Sequence, residues 1–328
     1  MHLDPFELHR PESIEETIRL ARELGSGFDY LAGGTDLLPN YKMHLNLRPH
    51  LIALDRVPEL QGSSLDRIGA MTRLADLAAD PAIAAHYPAL AQAVHGVATP
   101  LVRASGTVGG NLMVETRCFF FNQSLFWRAS LGYCLKADGD LCHVVPQKEK
   151  CYATFSGDLA PAFEVLGASV EVAGPDGSRV LPLDQLYADD GDGIRRHRLR
   201  PGELIVAVHL PPEARHRRSA YLKLRARPSF DFPELGVAVA LVRDGDRLSF
   251  LDLAVGGLET YPRRFPSITD SFVGGNLSAD RIAELARAIQ SSVRPVHNTA
   301  YPADYRKRMT GVFVRRAVAR LWEHRVAS

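Results

Sequence analysis

Four cysteines are the first residues in this chain whose type and spacing point to chemistry. Cys118, Cys134, Cys142 and Cys151 fall within one 34-residue stretch of a 328-residue sequence that contains no others. Cysteines used as small core hydrophobes would be scattered, so the clustering implies a shared task. Disulfides would need an oxidising compartment, and the N-terminal run MHLDPFELHRPES lacks the cationic start and apolar stretch of an export signal. Structural zinc favours close C-x-x-C-like pairs, and none is present. An iron–sulfur cluster needs four thiolates gathered in space, which long loops can deliver from uneven spacing. The spacing leaves all three readings open. His143, next to Cys142, could add a ligand or simply a hydrogen bond.

Two glycine turns come next. Leu31-Ala32-Gly33-Gly34-Thr35-Asp36-Leu37 follows an apolar strand, and Gly106-Thr107-Val108-Gly109-Gly110-Asn111 repeats the chemistry about 75 residues later. Paired glycines let backbone N–H groups approach an anion and point at it together, so the turns could clamp a pyrophosphate from both sides. Each could equally be a tight turn. Neither opens a βαβ unit as GxGxxG, and neither ends in the Lys-Ser/Thr of a P-loop.

The elements that must position these residues read as mixed α and β. Ser13 and Glu16 form a capping box for a helix that Gly25 ends. Strands are expected over 28–32, 51–54 and 204–210, with helices over 73–79 and 88–95. The cysteine stretch shows little periodicity, and its Phe119, Phe120, Phe121, Phe126, Trp127 and Tyr133 are read as a mini-core. A helix and strand follow over 162–172. The last third reads as strands then helices, with a hairpin at Arg243-Asp244-Gly245-Asp246 and a final helix burying Tyr305, Met309, Phe313, Ala317 and Leu321. Lys plus Arg (39) against Asp plus Glu (38) gives net +1, which argues against a nucleic-acid partner. The arginine runs at 195–200 and 215–218 read as solvated loops. No apolar stretch reaches membrane-spanning length, and a cytoplasmic location is expected.

LAGGTDLL, VRASGTVGGNL, SGDLAPAFEVLGA (Ser156–Ala168) and KLRARPSFDFPELGVAVAL (Lys223–Leu241) occur in that order. Together they resemble the FAD-binding medium subunits of the molybdenum hydroxylases, the xanthine dehydrogenase and carbon monoxide dehydrogenase family. The resemblance implies an α+β chain. Its two-subdomain FAD-binding domain, of the vanillyl-alcohol oxidase-like (PCMH) type, would precede a smaller C-terminal α/β flavoprotein domain. The expected boundaries are 1–56, 57–215 with a cysteine insertion at 117–157, and 216–328 as the CO dehydrogenase flavoprotein-like domain.

By the same resemblance, Leu31, Ala32, Gly33, Gly34, Thr35, Asp36 and Leu37 contact FAD. Val97, Ala98, Val102, Thr107, Gly110 and Asn111 form the second contact region, with Asp158 and Lys223 beside the flavin. Read alone, Asp158 could cap a helix and Lys223 could be a solvated strand lysine. One branch of the family has a four-cysteine loop holding a [4Fe–4S] cluster, and CFFFNQSLFWRASLGYCLKADGDLCHVVPQKEKC looks very like it. That likeness implies an electron-transfer subunit with no catalytic residue of its own. It would assemble with a molybdopterin-containing large subunit and a two-[2Fe–2S] small subunit as a dimer of heterotrimers. A ferredoxin-like donor would supply electrons for reductive removal of the phenolic hydroxyl of 4-hydroxybenzoyl-CoA.

Overall fold

The computed structural model of the chain describes residues 3–228 and 230–323. Three sheets organise them. The first is parallel, in the order β1 (Glu7–His9), β3 (His50–Ala53), β2 (Phe28–Leu31), with α1 (Ile14–Leu24) and α2 (Leu37–Lys42) as crossovers. Ser13 Oγ accepts the Glu16 N–H at 3.1 Å, as the capping box requires. The reciprocal arm differs: Glu16 Oε2 accepts the Glu12 N–H at 2.9 Å rather than that of Ser13. Gly25 ends the helix at φ +61°.

The chain then passes through β4 (Arg67–Gly69) into short helices: α3 (Leu74–Ala79), α4 (Pro81–His86), α5 (Pro88–Gly96), α6 (Pro100–Ser105) and α7 (Val108–Leu112). The cysteine stretch contributes only α8 (Leu125–Ser130) before α9 (Leu159–Val165). A second sheet, antiparallel in the order β4-β7-β5-β6, is completed by β5 (Ser169–Gly174), β6 (Gly177–Pro182) and β7 (Leu204–His209).

The third sheet is antiparallel, built from β8 (Arg218–Leu224), β9 (Leu235–Asp244), β10 (Arg247–Gly256) and the short β11 (Arg263–Arg264). The short α10 (Pro266–Thr269), then α11 (Ala279–Ser292) and α12 (Ala303–Glu323) follow. Side chains alternate across a strand, and β9 uses both faces. Val237, Val239 and Leu241 join a core with α11 and α12, while Ala238 and Ala240 join the core built around α5 and α9. The second face carries alanines and Gly256, whose Cβ would lie 2.9 Å from Pro161 of α9, so small residues let that helix lie close to the sheet.

Three expectations need correction. The inward face of α12 centres on Arg306, Thr310, Phe313, Val314, Ala317, Val318 and Leu321, leaving Tyr305 and Met309 only partly buried. Arg306 is buried there because its guanidinium donates to the Gly257 carbonyl and to Asn298 Oδ1, each at 2.9 Å. The arginine runs are ion-paired rather than simply solvated: Arg195 with Asp190, Arg198 with Asp189, Arg215 with Asp66, and Arg196 inward to Glu115. The aromatic mini-core is partial, since Phe121 is buried but Phe119 and Phe126 are 50% and 86% exposed. Among the described residues, no helix is long and apolar enough to cross a membrane.

Phe163 of α9 is fully buried in the core that also receives Ala238, Ala240 and Ala254 of the third sheet. Phe163→Ala leaves a cavity in that shared core and should cost about 3–5 kcal/mol. Denaturant unfolding checks this, with an unchanged midpoint as the contrary result.

Candidate functional site: a glycine cradle and a cysteine insertion

The two glycine turns meet in space. A Cβ on Gly33 would be driven into the Ser105 carbonyl, and one on Gly110 would lie 3.7 Å from the Ala32 Cβ. Their backbones do different things, however. In the second turn the Val108, Gly109, Gly110 and Asn111 N–H groups are consumed internally, by Thr72 O, Ala70 O, Thr107 Oγ1 and Thr107 O. Among the described residues, the N–H groups of Gly33, Gly34, Thr35, Asp36 and Leu37 donate to no protein acceptor. The expected two-sided clamp of amides is therefore one-sided. The first turn offers the donors, with Gly34 at φ +69°, and the second turn packs against it.

The other expected contacts gather beside these turns. Val97 and Ala98 link α5 to α6, with Ala98 at φ +39° and the Val97 carbonyl held by Arg103 at 2.7 Å. Val102 lies within α6, which runs to the second turn. Asn111 Oδ1 accepts the first N–H of α9, from Leu159, at 3.0 Å. Asp158 does not cap that helix with its side chain. Its carboxylate instead accepts Lys223 Nζ at 2.9 Å and Tyr221 Oη at 2.8 Å. Lys223 also donates to the Gly96 carbonyl at 2.9 Å, and its side chain is 6% exposed, so it is no solvated lysine. Burial pushes the Asp158 carboxyl up and the Lys223 ammonium down, and each holds the other's charge. Tyr221 was not foreseen, because nothing in a strand sequence marks which tyrosine will face a carboxylate.

The cysteine insertion is closed at its neck by reciprocal Arg117–Thr154 backbone bonds of 2.8 Å. All four cysteines are buried free thiols, which removes the disulfide reading. They line one cavity with Phe120, Phe121, Leu135, Lys136, His143 and Val144. Burial pushes the Cys118 thiol up to about 11 and the Cys151 thiol up to about 12. Among the described residues, no three of the four sulfurs lie mutually within 4.8 Å. Tetrahedral zinc would draw them to about 3.8 Å. The His143 ring bonds the Tyr133 carbonyl through Nε2 at 2.5 Å.

A polar chain that no local pattern announced joins insertion to cradle. Lys136, 3% exposed, donates to Glu115 Oε1 at 2.6 Å, to the Gly193 carbonyl at 2.9 Å and to Thr116 Oγ1. Arg196 reaches the other Glu115 oxygen at 3.2 Å. Burial pushes the Glu115 carboxyl up, but Arg196 and Lys136 outweigh it and bring it down to about 2. The Glu115 N–H donates to Asp36 Oδ2 at 3.2 Å, and Arg117 reaches Asp36 Oδ1 at 3.1 Å. The Asp36 side chain thus faces the insertion neck rather than the open side of the cradle.

The family described as "FAD binding domain in molybdopterin dehydrogenase" matches residues 4–213, and "CO dehydrogenase flavoprotein C-terminal domain" matches 219–321. The chain belongs to the FAD-binding medium subunits of the molybdenum hydroxylase family. This medium subunit is 29% identical to the carbon monoxide dehydrogenase medium chain of Hydrogenophaga pseudoflava over 322 residues, 97% of each chain. It is 35% identical to the aldehyde oxidoreductase FAD-binding subunit PaoB of Escherichia coli over 250 residues, 73% of this chain and 77% of the other. Its fold superimposes on reconstituted CO dehydrogenase from Oligotropha carboxidovorans with a TM-score of 0.79 at 26% identity, covering 98% and 99% of the chains. The free amides of the first turn fit the pyrophosphate of the FAD that such a domain binds.

Two outcomes test this geometry. Gly33→Ala should push the turns apart, so the purified medium subunit should carry much less FAD per chain by absorbance; stoichiometric flavin would contradict the cradle. Glu115→Gln leaves the buried Lys136 without its partner and should cost about 3–5 kcal/mol at neutral pH. Because the folded carboxyl is depressed, the wild-type advantage is complete above the unfolded value of 4.5 and fades as pH falls toward about 2. Thermal melts of both proteins across that range should therefore converge.

Proposed function

We propose that the chain is the FAD- and [4Fe–4S]-carrying electron-transfer subunit of a 4-hydroxybenzoyl-CoA reductase. The observation that carries this reading is the insertion, in which four buried thiols surround one cavity and stand too far apart for a preformed zinc site. Softness of the donors suits an iron–sulfur cluster, and the apolar wall of Phe120, Phe121 and Val144 would limit water around it. Cys118, Cys134, Cys142 and Cys151 are its ligands in this reading.

When bound, FAD supplies exchange between one- and two-electron carriers, and a cluster supplies a one-electron relay. The chain's own residues bind, orient and exclude solvent. The Gly33–Leu37 amides receive the pyrophosphate, with Leu31 and Ala32 leading into them. Gly110 packs against Ala32 of that turn, Thr107 and Asn111 hold the second turn and the start of α9 in place, and Val97, Ala98 and Val102 form the neighbouring wall. Asp158 and Tyr221 fix Lys223, whose ammonium is directed by hydrogen bonds to Asp158 and the Gly96 carbonyl.

The chemistry lies on another chain. Two electrons and two protons replace the aromatic C–O bond of 4-hydroxybenzoyl-CoA with C–H, giving benzoyl-CoA and water at a molybdopterin-containing large subunit. A two-[2Fe–2S] small subunit connects the two, a ferredoxin-like protein donates, and the assembly is a dimer of heterotrimers in the cytoplasm. A second reading, favoured by the names of the relatives, is the flavin subunit of a molybdenum hydroxylase that oxidises an aldehyde or N-heterocycle. A zinc-stabilised nucleotide module is disfavoured by the family match.

The complex, purified without oxygen, should hold about eight iron per FAD: four in this chain and four in the small subunit. Cys142→Ser should remove about four while most flavin stays, because the cradle lies outside the insertion neck. Turnover of 4-hydroxybenzoyl-CoA with a reduced low-potential donor completes the test. Zinc in place of the four iron atoms would sink the cluster, and iron without turnover would leave the hydroxylase reading.

A further inference from the structure

We propose that Glu7, His9 and His50 form a binding site for a divalent transition ion of the zinc class, separate from the cysteine cavity. The fold itself assembles the three side chains. β1 and β3 are parallel neighbours with Glu7 in register with His50, so those two residues share a face of the sheet. A step of two along β1 puts His9 on that same face.

The ligand atoms already converge. His9 Nε2 lies 3.2 Å from His50 Nδ1, and the Glu7 oxygens lie 3.4 Å from His50 Nδ1 and 3.8 Å from His9 Nε2. Tetrahedral zinc with bonds of about 2.0–2.1 Å holds its nitrogen and oxygen ligands about 3.3 Å apart. The His9–His50 separation matches such an edge, Glu7 Oε2 faces His50 while Oε1 faces His9, and one ligand atom from each of the three residues lies within 4.8 Å of the others. Two imidazoles and a carboxylate select zinc, cobalt, nickel or copper over magnesium and calcium, which prefer all-oxygen shells.

The cost of ordering the site is small. The His9 and His50 side chains are 18% and 27% exposed, so packing holds both rings, and only Glu7, at 66%, must be fixed. β1 spans three residues and sits at the sheet edge with β3 as its one partner strand. An ion bridging β1 and β3 would clamp that edge and the segment leading into α1.

Cobalt(II) titrated into the purified complex separates this site from the cysteines, since thiolate-bound cobalt shows intense near-ultraviolet charge-transfer bands and nitrogen–oxygen sites do not. The expected result is one equivalent per medium subunit with weak visible bands and no thiolate band. That equivalent should persist in Cys142→Ser and vanish in His50→Asn and in Glu7→Gln. The exposed Glu7 variant should fold normally, which keeps the test valid if His50→Asn does not. Zinc should raise the melting temperature of wild type but not of Glu7→Gln. Binding that carries only thiolate bands, or that survives both variants, overturns the site.

Discussion

The carboxylate of Asp36 is the interaction on which both functional regions depend. Asp36 lies within the run of donor amides Gly33–Leu37, and its side chain turns to the insertion neck. One oxygen takes the Arg117 guanidinium and the other takes the Glu115 N–H and the Asn40 amide. The first turn is thereby tied to the two residues that lead into Cys118. The half-buried carboxylate cannot swing outward without giving up the Arg117 ion pair and the Glu115 N–H together. The cradle and the mouth of the insertion are fixed by one group.

The insertion shows how a loop with little core of its own stays ordered. Its apolar centre is limited to Leu45, Phe121, Ala137, Ala153 and cysteines. Polar side chains bonded to backbone do the rest. Arg128 is 2% exposed and donates to the Met43 and His44 carbonyls at 2.9 Å, joining the insertion to the first subdomain. Asp192 accepts the Cys151 N–H at 3.0 Å, and Lys136 closes on Glu115 and Gly193. Such bonds constrain geometry well where burial is scarce, because an unmet buried donor is costly.

What the sequence disclosed follows from the range of the forces involved. Glycine pairs, a hairpin turn, a capping Ser-x-x-Glu and clustered thiols announce themselves locally, since each has a chemical demand met within a few residues. The helix and strand placements of the first and last thirds were legible for that reason. The partners of buried charges were not. Lys136 finds Glu115 across 21 residues and Arg117 finds Asp36 across 81, and no periodic pattern records such meetings. The same holds for the division of labour between the turns. Their glycines look alike in sequence, and only the positions of Ala70 and Thr72 show that the second turn's amides are already taken.

The pairing of Asp158 with Lys223 turns domain packing into a condition for the site. Asp158 precedes α9, which packs in the core of the FAD-binding half, whereas Lys223 and Tyr221 project from β8 of the C-terminal sheet. The pair exists only while the halves are docked. Docking is secured by the alternation along β9, whose alanines accept α9 on one face while its valines hold α11 and α12 on the other. If the sheet moved away, the pair would lose its mutual hydrogen bond as both charges met water, a loss added to that of the apolar burial. The C-terminal domain is thus not an appendage of the flavin domain. It supplies one charge of a buried pair whose other charge lies across the boundary, so that pair and the interface between the domains stand or fall together.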